Sequence, residues 1–199
     1  MEAIPNFIIL NRGKLSFEFL HRGIRDFHGA INYVKSLSYG RPSDKNKLEL
    51  VMIEGKGSCS TKHALLVELA KENGHNDLEL VLGIYKMDND NTRGVEPILA
   101  KYGLSYIPEA HCYIRYKKKR YDFTCQESPD NSPFETLIEE TTISPHQITN
   151  YKEDYHRTFL SIWMKKAKLP GRWNLEKLWT AREECIKELS GIKDYVVVN

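Results

Sequence analysis

The sequence predicts an α+β fold, on three observations. A glycine-punctuated loop, Glu54-Gly55-Lys56-Gly57-Ser58, runs straight into an amphipathic helical pattern that opens at Cys59. Tyr113, Ile114, Tyr116, Tyr121 and Phe123 supply β-favouring side chains around a basic turn, which reads as an antiparallel hairpin. From His146 onward two further helical stripes follow one another. The expected organisation is a core over residues 1–145, with the Cys59 helix packed on an antiparallel sheet. A helical extension over 146–199 packs on that core as part of one unit.

Taken in order, Leu20, Ile24, Phe27, Ile31 and Val34 step by four and three, so Phe17 to Leu37 carries a helical face. Gly23 and Gly29 weaken that helix and invite a break. Tyr39 to Lys47 is rich in turn formers and reads as a loop. Leu48 to Ile53 is an apolar approach to the cysteine loop. The Cys59 helix should end at Asn73-Gly74, a favourable C-cap pair. Leu78 to Met87 is a largely buried strand, Asp88 to Asn91 a turn, and Gly94 to Tyr102 a short helix. The Asp88–Asn91 turn lacks the Gly and Glu spacing of a calcium loop. Ile107-Pro108-Glu109 leads into the hairpin, and Ser128 to Pro133 is a linker-like loop. Ile148, Tyr151, Tyr155, Phe159 and Ile162 form the first C-terminal stripe. Asn174 caps the second helix, which has Leu175, Leu178, Ile186 and Leu189 on its inner face. Trp163, Trp173 and Trp179 cluster around this helical hairpin.

A chain of 199 residues with 41% hydrophobic content suits one domain with a real core. A net charge of +2 creates no demand for nucleic acid or an anionic membrane. The Lys117-Lys118-Lys119-Arg120 run reads as a solvated hairpin tip. The four cysteines, Cys59, Cys112, Cys125 and Cys185, show no CxxC spacing, so neither a zinc ribbon nor a disulfide scaffold is expected. Phe7-Ile8-Ile9-Leu10 follows Glu2 and Pro5 without a basic leader, a poor signal peptide. No apolar run approaches the ~20 residues that span a bilayer. Cytoplasmic residence is therefore the expectation, and it suits a reduced thiol. No cofactor and no metal are expected.

The chemistry centres on Cys59. A thiol at a helix N-terminus faces the positive end of the helix dipole, which favours the nucleophilic thiolate. A nucleophile needs a base, and the base needs an orienting group. His111 opens the first strand of the hairpin and Asp122 lies near the end of the second. The two are directly opposed if the turn centres between Tyr116 and Lys117, and diagonal neighbours in another register. His63 lies four residues after Cys59 on the same helix face and is a rival base, without an obvious orienting carboxylate. Cys59, His63, His111 and Cys112 make a poor zinc set, because successive strand residues point to opposite faces. Cys112, Cys125 and Cys185 read as packing residues.

On Gly57-Ser58-Cys59, then His111, then Asp122-Phe123-Thr124, the chain resembles the transglutaminase-like superfamily of Cys-His-Asp enzymes, over about residues 17–125. The resemblance implies a papain-like core with Cys59 as nucleophile, His111 as general base then acid, and Asp122 orienting His111. It also implies a second oxyanion donor upstream of the cysteine. No Gln or Trp precedes Cys59, which leaves the Cys59 backbone N–H and, among side chains, Tyr39, Tyr33, Asn32 and Asn46. Loss of such a donor costs on the order of 10²–10³ in rate. The implied reaction is acyl transfer on an amide, peptide or protein substrate through a thioester. Hydrolysis is favoured over crosslinking because water is abundant. Arylamine acetyltransferases share the triad, but their Arg-Gly-Gly is not matched by Lys56-Gly57-Ser58. The alternative is a non-catalytic relative that binds a peptide or protein segment.

Overall fold

The computed structural model describes residues 3–125 and 133–191. Among the described residues helix accounts for 46% and strand for 19%, which makes the fold α+β. Most of the expected Ser128–Pro133 linker lies outside the described residues; Pro133 itself opens a short 3-10 turn, Pro133–Thr136. The chain divides into two compact units. The first comprises Met1–Leu82, Cys112–Gln126 and Thr141–Ile148, and the second Gly83–His111, Glu127–Glu140 and Thr149–Asn199. The units thus interleave along the sequence, and residue 145 falls inside a segment of the first.

The expected Phe17–Leu37 helix is two helices, α1 (Lys14–His21) and α2 (Phe27–Ser36). The break comes where Gly23 takes a φ of +78°, a left-handed conformation that only glycine adopts without strain. Asp26 then caps α2, accepting the Gly29 N–H at 2.9 Å. Strand β1 (Ser38–Tyr39) follows, and the apolar approach to the cysteine loop is a single helical turn, α3 (Leu50–Ile53). Strand β2 (Lys56–Gly57) pairs in parallel with β1, setting Tyr39 beside Gly57.

Helix α4 (Cys59–Glu72) is the centre of the first unit. It is buried on nearly every side from Cys59 to Ala70, because α1, α2, α3 and the 3-10 turn Pro145–Ile148 all pack on it. Its last residue, Glu72, reaches the start of α1. There the carboxylate accepts the Leu15 and Ser16 N–H groups at 3.0 and 2.7 Å and the Ser16 hydroxyl at 2.6 Å. An anion on the unpaired N–H groups of a helix start is favourable on both hydrogen-bond and dipole grounds. Helix α4 ends as expected, with Asn73 as its cap and Gly74 at a φ of +86°.

Strands β3 (Glu79–Met87), β4 (Ile107–Tyr116), β5 (Lys119–Tyr121) and β6 (Leu137–Ile143) form a sheet in the order β5-β4-β3-β6. Both β3 and β4 are buried along almost their whole length, so they read as continuous apolar runs rather than an alternating pattern. Strand β4 begins at Ile107, so His111 stands in mid-strand rather than opening it. The ladder pairs Tyr116 with Lys119, Arg115 with Arg120 and Ile114 with Tyr121. The turn therefore centres between Lys117 and Lys118, one residue later than direct opposition of His111 and Asp122 requires. Both turn lysines have positive φ, +45° and +66°. A two-residue loop matches the strand twist only in that conformation, and here it is forced on side chains that disfavour it.

In the second unit, α5 (Glu96–Tyr102) ends at Gly103 with a φ of +67°, and α6 (Asn150–Lys166) and α7 (Leu175–Gly191) pack on one another. Asn174 caps α7 as expected, accepting the Lys177 N–H at 2.8 Å. The inward face of α6 is rotated from the expected stripe. His156 and Leu160 are its buried residues, while Tyr151 and Ile162 are 42% and 49% exposed. A histidine took a core position because two partners satisfy it. Its Nε2–H donates to the Pro108 carbonyl at 2.8 Å, and its ring meets Trp179 edge-on at 5.3 Å. Beside it, Arg182 holds buried Glu109 through one guanidinium edge, Nε and Nη2 each donating to a carboxylate oxygen.

Candidate functional site

Cys59 is the first residue of α4, as the loop-to-helix pattern predicts, and it is buried, at 6% exposure. The helix start is built by Ser58 and Thr61, which form a capping box in which Thr61 Oγ1 accepts the Ser58 N–H at 2.9 Å. Ser58 Oγ also lies 3.1 Å from Ser60 Oγ. Threonine here does the work usually given to Glu or Gln, which leaves the helix start without a side-chain anion.

Gly57 is needed for close approach rather than for an unusual φ. A Cβ there would stand 2.7 Å from Lys62 Cγ and 3.0 Å from Val51 Cγ1. The side chain that occupies this space, Lys62, is fully buried. Its Nζ donates to the Leu37 carbonyl at 2.6 Å and to the Thr124 carbonyl at 2.7 Å. Burial pushes its pKa down to about 8, against the pull of Cys125, Asp122 and Cys59. Sequence reasoning missed Lys62, because lysine is usually solvated. The available signal was its position three residues after Cys59 in a helix whose every face had to be covered.

Asp122 lies just past the end of β5. Its Oδ1 accepts the Thr124 N–H at 2.9 Å and also the Thr124 hydroxyl. This gives the Asp-Phe-Thr sequence a local reason, because threonine folds back to hold the carboxylate.

The carboxylate that His63 lacked in sequence is Asp122, whose Oδ1 lies 3.5 Å from His63 Nε2. The hydrogen bonds nevertheless assign His63 a tethering role. The Phe123 backbone N–H can only donate, and it reaches Nε2 at 2.7 Å. The Cys59 carbonyl can only accept, and it lies 2.7 Å from Nδ1. Nε2 is therefore the acceptor and Nδ1 carries the proton, which is the neutral imidazole. With both nitrogens engaged and the ring fully buried, His63 fastens the first turn of α4 to the Asp122 segment.

Among the side-chain oxyanion candidates, position separates Tyr39 from the rest. Tyr39 is half-buried and paired with Gly57, two residues before Cys59. Asn32 and Asn46 are exposed, and Asn46 is bonded to Asp44 within its own loop. Tyr33 packs edge-on against Phe19 at 6.1 Å. His111 belongs to the second unit, where it is buried and meets Tyr85 edge-on at 6.0 Å. Cys112 and Cys185 are fully buried, as packing residues are, while Cys125 is half-buried. Burial raises the Cys185 thiol to about 12.

No helix among the described residues is long and apolar enough to cross a membrane. No protein-family model matches this chain, and neither the curated proteins nor the solved structures contain a match to it.

Proposed function

We propose that this chain is a thiol-dependent acyl-transfer enzyme with a papain-like, transglutaminase-like core, acting on an amide or peptide carbonyl. Cys59 gives its proton to His111 and its sulfur attacks the carbonyl carbon. The tetrahedral intermediate collapses as the C–N bond breaks, and His111 returns the proton to the departing amine. Water, deprotonated by His111, then attacks the thioester; the C–S bond breaks, the acid leaves and the thiol is restored. Asp122 orients His111. The Cys59 N–H and Tyr39 are the proposed oxyanion donors. An amine in place of water would make the same machinery a crosslinker.

The observation that carries this reading is the position of Cys59 as the first residue of a capped helix, flanked by Gly57 and by the strand that holds Tyr39. The first turn of α4 carries no acidic residue of its own beside the sulfur. The test is intact-mass analysis after incubation with a panel of peptides and glutamine-containing amides. Wild type should carry an acyl adduct that Cys59→Ala lacks. Absence of any adduct, with Cys59 reacting toward alkylators no faster than a free thiol, would defeat the reading.

The 6% exposure of Cys59 favours a second reading, a non-catalytic protein that binds a peptide or protein segment. Under that reading Cys59→Ala leaves peptide binding intact, and His111→Ala does not slow labelling of Cys59.

A further inference from the structure

We propose that Lys62 is a positioning residue for Cys59: its buried ammonium locks the backbone on both sides of the nucleophile helix and biases the thiol toward thiolate. The inference rests on Cys59 being the nucleophile, and it adds a residue to that site. Four observations support it.

The first is geometric. Leu37 precedes β1, which carries Tyr39, and Thr124 closes the loop that holds Asp122. The two hydrogen bonds from Nζ therefore join three segments at one point: the start of α4, the approach to Tyr39 and the Asp122 loop. The second is spacing. Cys59 and Lys62 are three apart on one helix, so their side chains leave the same face.

The third is that the charge is costly where it sits. The ammonium is fully buried, near the positive end of a helix dipole, and held by backbone carbonyls rather than by a carboxylate. A neutral donor would tie two carbonyls at less cost. Space is also reserved for it, since any side chain at position 57 would meet its stem.

The fourth is reciprocity. The ionisable groups whose charges act on Lys62 are Cys59 on its own helix and Asp122 and Cys125 on the segment packed against it. His63, the next ionisable residue along α4, is held neutral by its two hydrogen bonds. Whatever a Cys59 thiolate does to favour the ammonium, the ammonium does equally to favour the thiolate.

The experiment follows carboxamidomethylation of Cys59 by iodoacetamide against pH, read on the Cys59 peptide by mass spectrometry so that Cys125 does not interfere. Lys62→Met keeps the length of the stem without the charge. Its alkylation midpoint should rise by about one pH unit, which is roughly a tenfold loss of rate below both midpoints. Equal midpoints in a folded variant, or a loss of rate uniform across pH, would overturn the proposal.

If Lys62→Met does not fold, the reciprocal measurement uses the native lysine. The Lys62 side-chain resonances are titrated by NMR in wild type and in Cys59→Ser, and the midpoint should fall when the thiol is removed. An unchanged midpoint overturns the proposal. Neither arm uses a substrate. A midpoint shift without an acyl adduct would sink the enzyme reading alone, and an adduct without a shift would sink the role of Lys62 alone.

Discussion

Lowering the pH from 7 to 5 is expected to weaken the second unit by about 2 kcal/mol through one buried histidine. Burial pushes His156 down from 6.5 to about 4, although the nearby Glu109 carboxylate pulls the other way. The sign follows from proton counts. Between pH 6.5 and 4 the unfolded chain binds a proton on His156 that the folded chain refuses, so acid favours unfolding. This stability is fully present above 6.5 and lost as the pH falls through 4. At ~1.36 kcal/mol per pH unit, the whole interval amounts to about 3 kcal/mol, of which about 2 is lost by pH 5. Glu109 does not confuse the measurement. Burial alone would raise it, but Arg182 and His156 bring it down to about 2, so its own loss begins only below its ordinary value of 4.5. The assay is urea unfolding followed by tryptophan fluorescence. Trp163, Trp173 and Trp179 all belong to the second unit, and Trp179 touches the His156 ring. His156→Gln supplies an amide to the Pro108 carbonyl and cannot titrate, so its stability should fall by about 2 kcal/mol less than wild type over the same range. Equal losses in the two proteins would refute the argument.

Two further variants test the first unit. Replacing Lys117-Lys118 by Asn-Gly should raise stability by about 1 kcal/mol, because asparagine tolerates left-handed backbone better than lysine and glycine adopts it without a Cβ clash; an unchanged urea midpoint would mean that the turn carries no strain. Gly57→Ala should cost about 1–3 kcal/mol, since its Cβ meets the buried Lys62 stem and Val51. Thermal melting reads the loss, and a Tm equal to wild type would show that the lysine stem moves aside freely.

Much of the secondary structure was legible in the residues because local chemistry controls it. Gly23 broke a helix, the glycine loop before Cys59 opened one and Asn73-Gly74 closed it. Where the reading slipped, a tertiary partner had outvoted the local pattern. Tyr151 and Ile162 fit an apolar stripe on α6, yet both are exposed. The helix instead turns inward on His156, which the Pro108 carbonyl and Trp179 can satisfy. The hairpin turn moved by one residue because strand pairing continues through Lys119 and left only two lysines to make the corner. In the candidate site, Cys59 at a helix start was readable from the glycine-punctuated loop that runs into an amphipathic pattern. Lys62 was not, because nothing local distinguishes a lysine that will be solvated from one that will be covered.

By itself the sequence determined the α+β class, the start of α4 at Cys59 and its close at Asn73-Gly74, all set by groups within a few residues of one another. Only the tertiary structure decided the protonation of His63, the burial of Lys62 and the pairing of Tyr39 with Gly57. Each of these depends on a donor or acceptor supplied from a remote part of the chain: Phe123 for His63, Leu37 and Thr124 for Lys62, and the β1–β2 ladder for Tyr39. Partners that lie 18 to 62 residues away leave no periodicity for a sequence to show, and they exist only once folding has excluded water from between them.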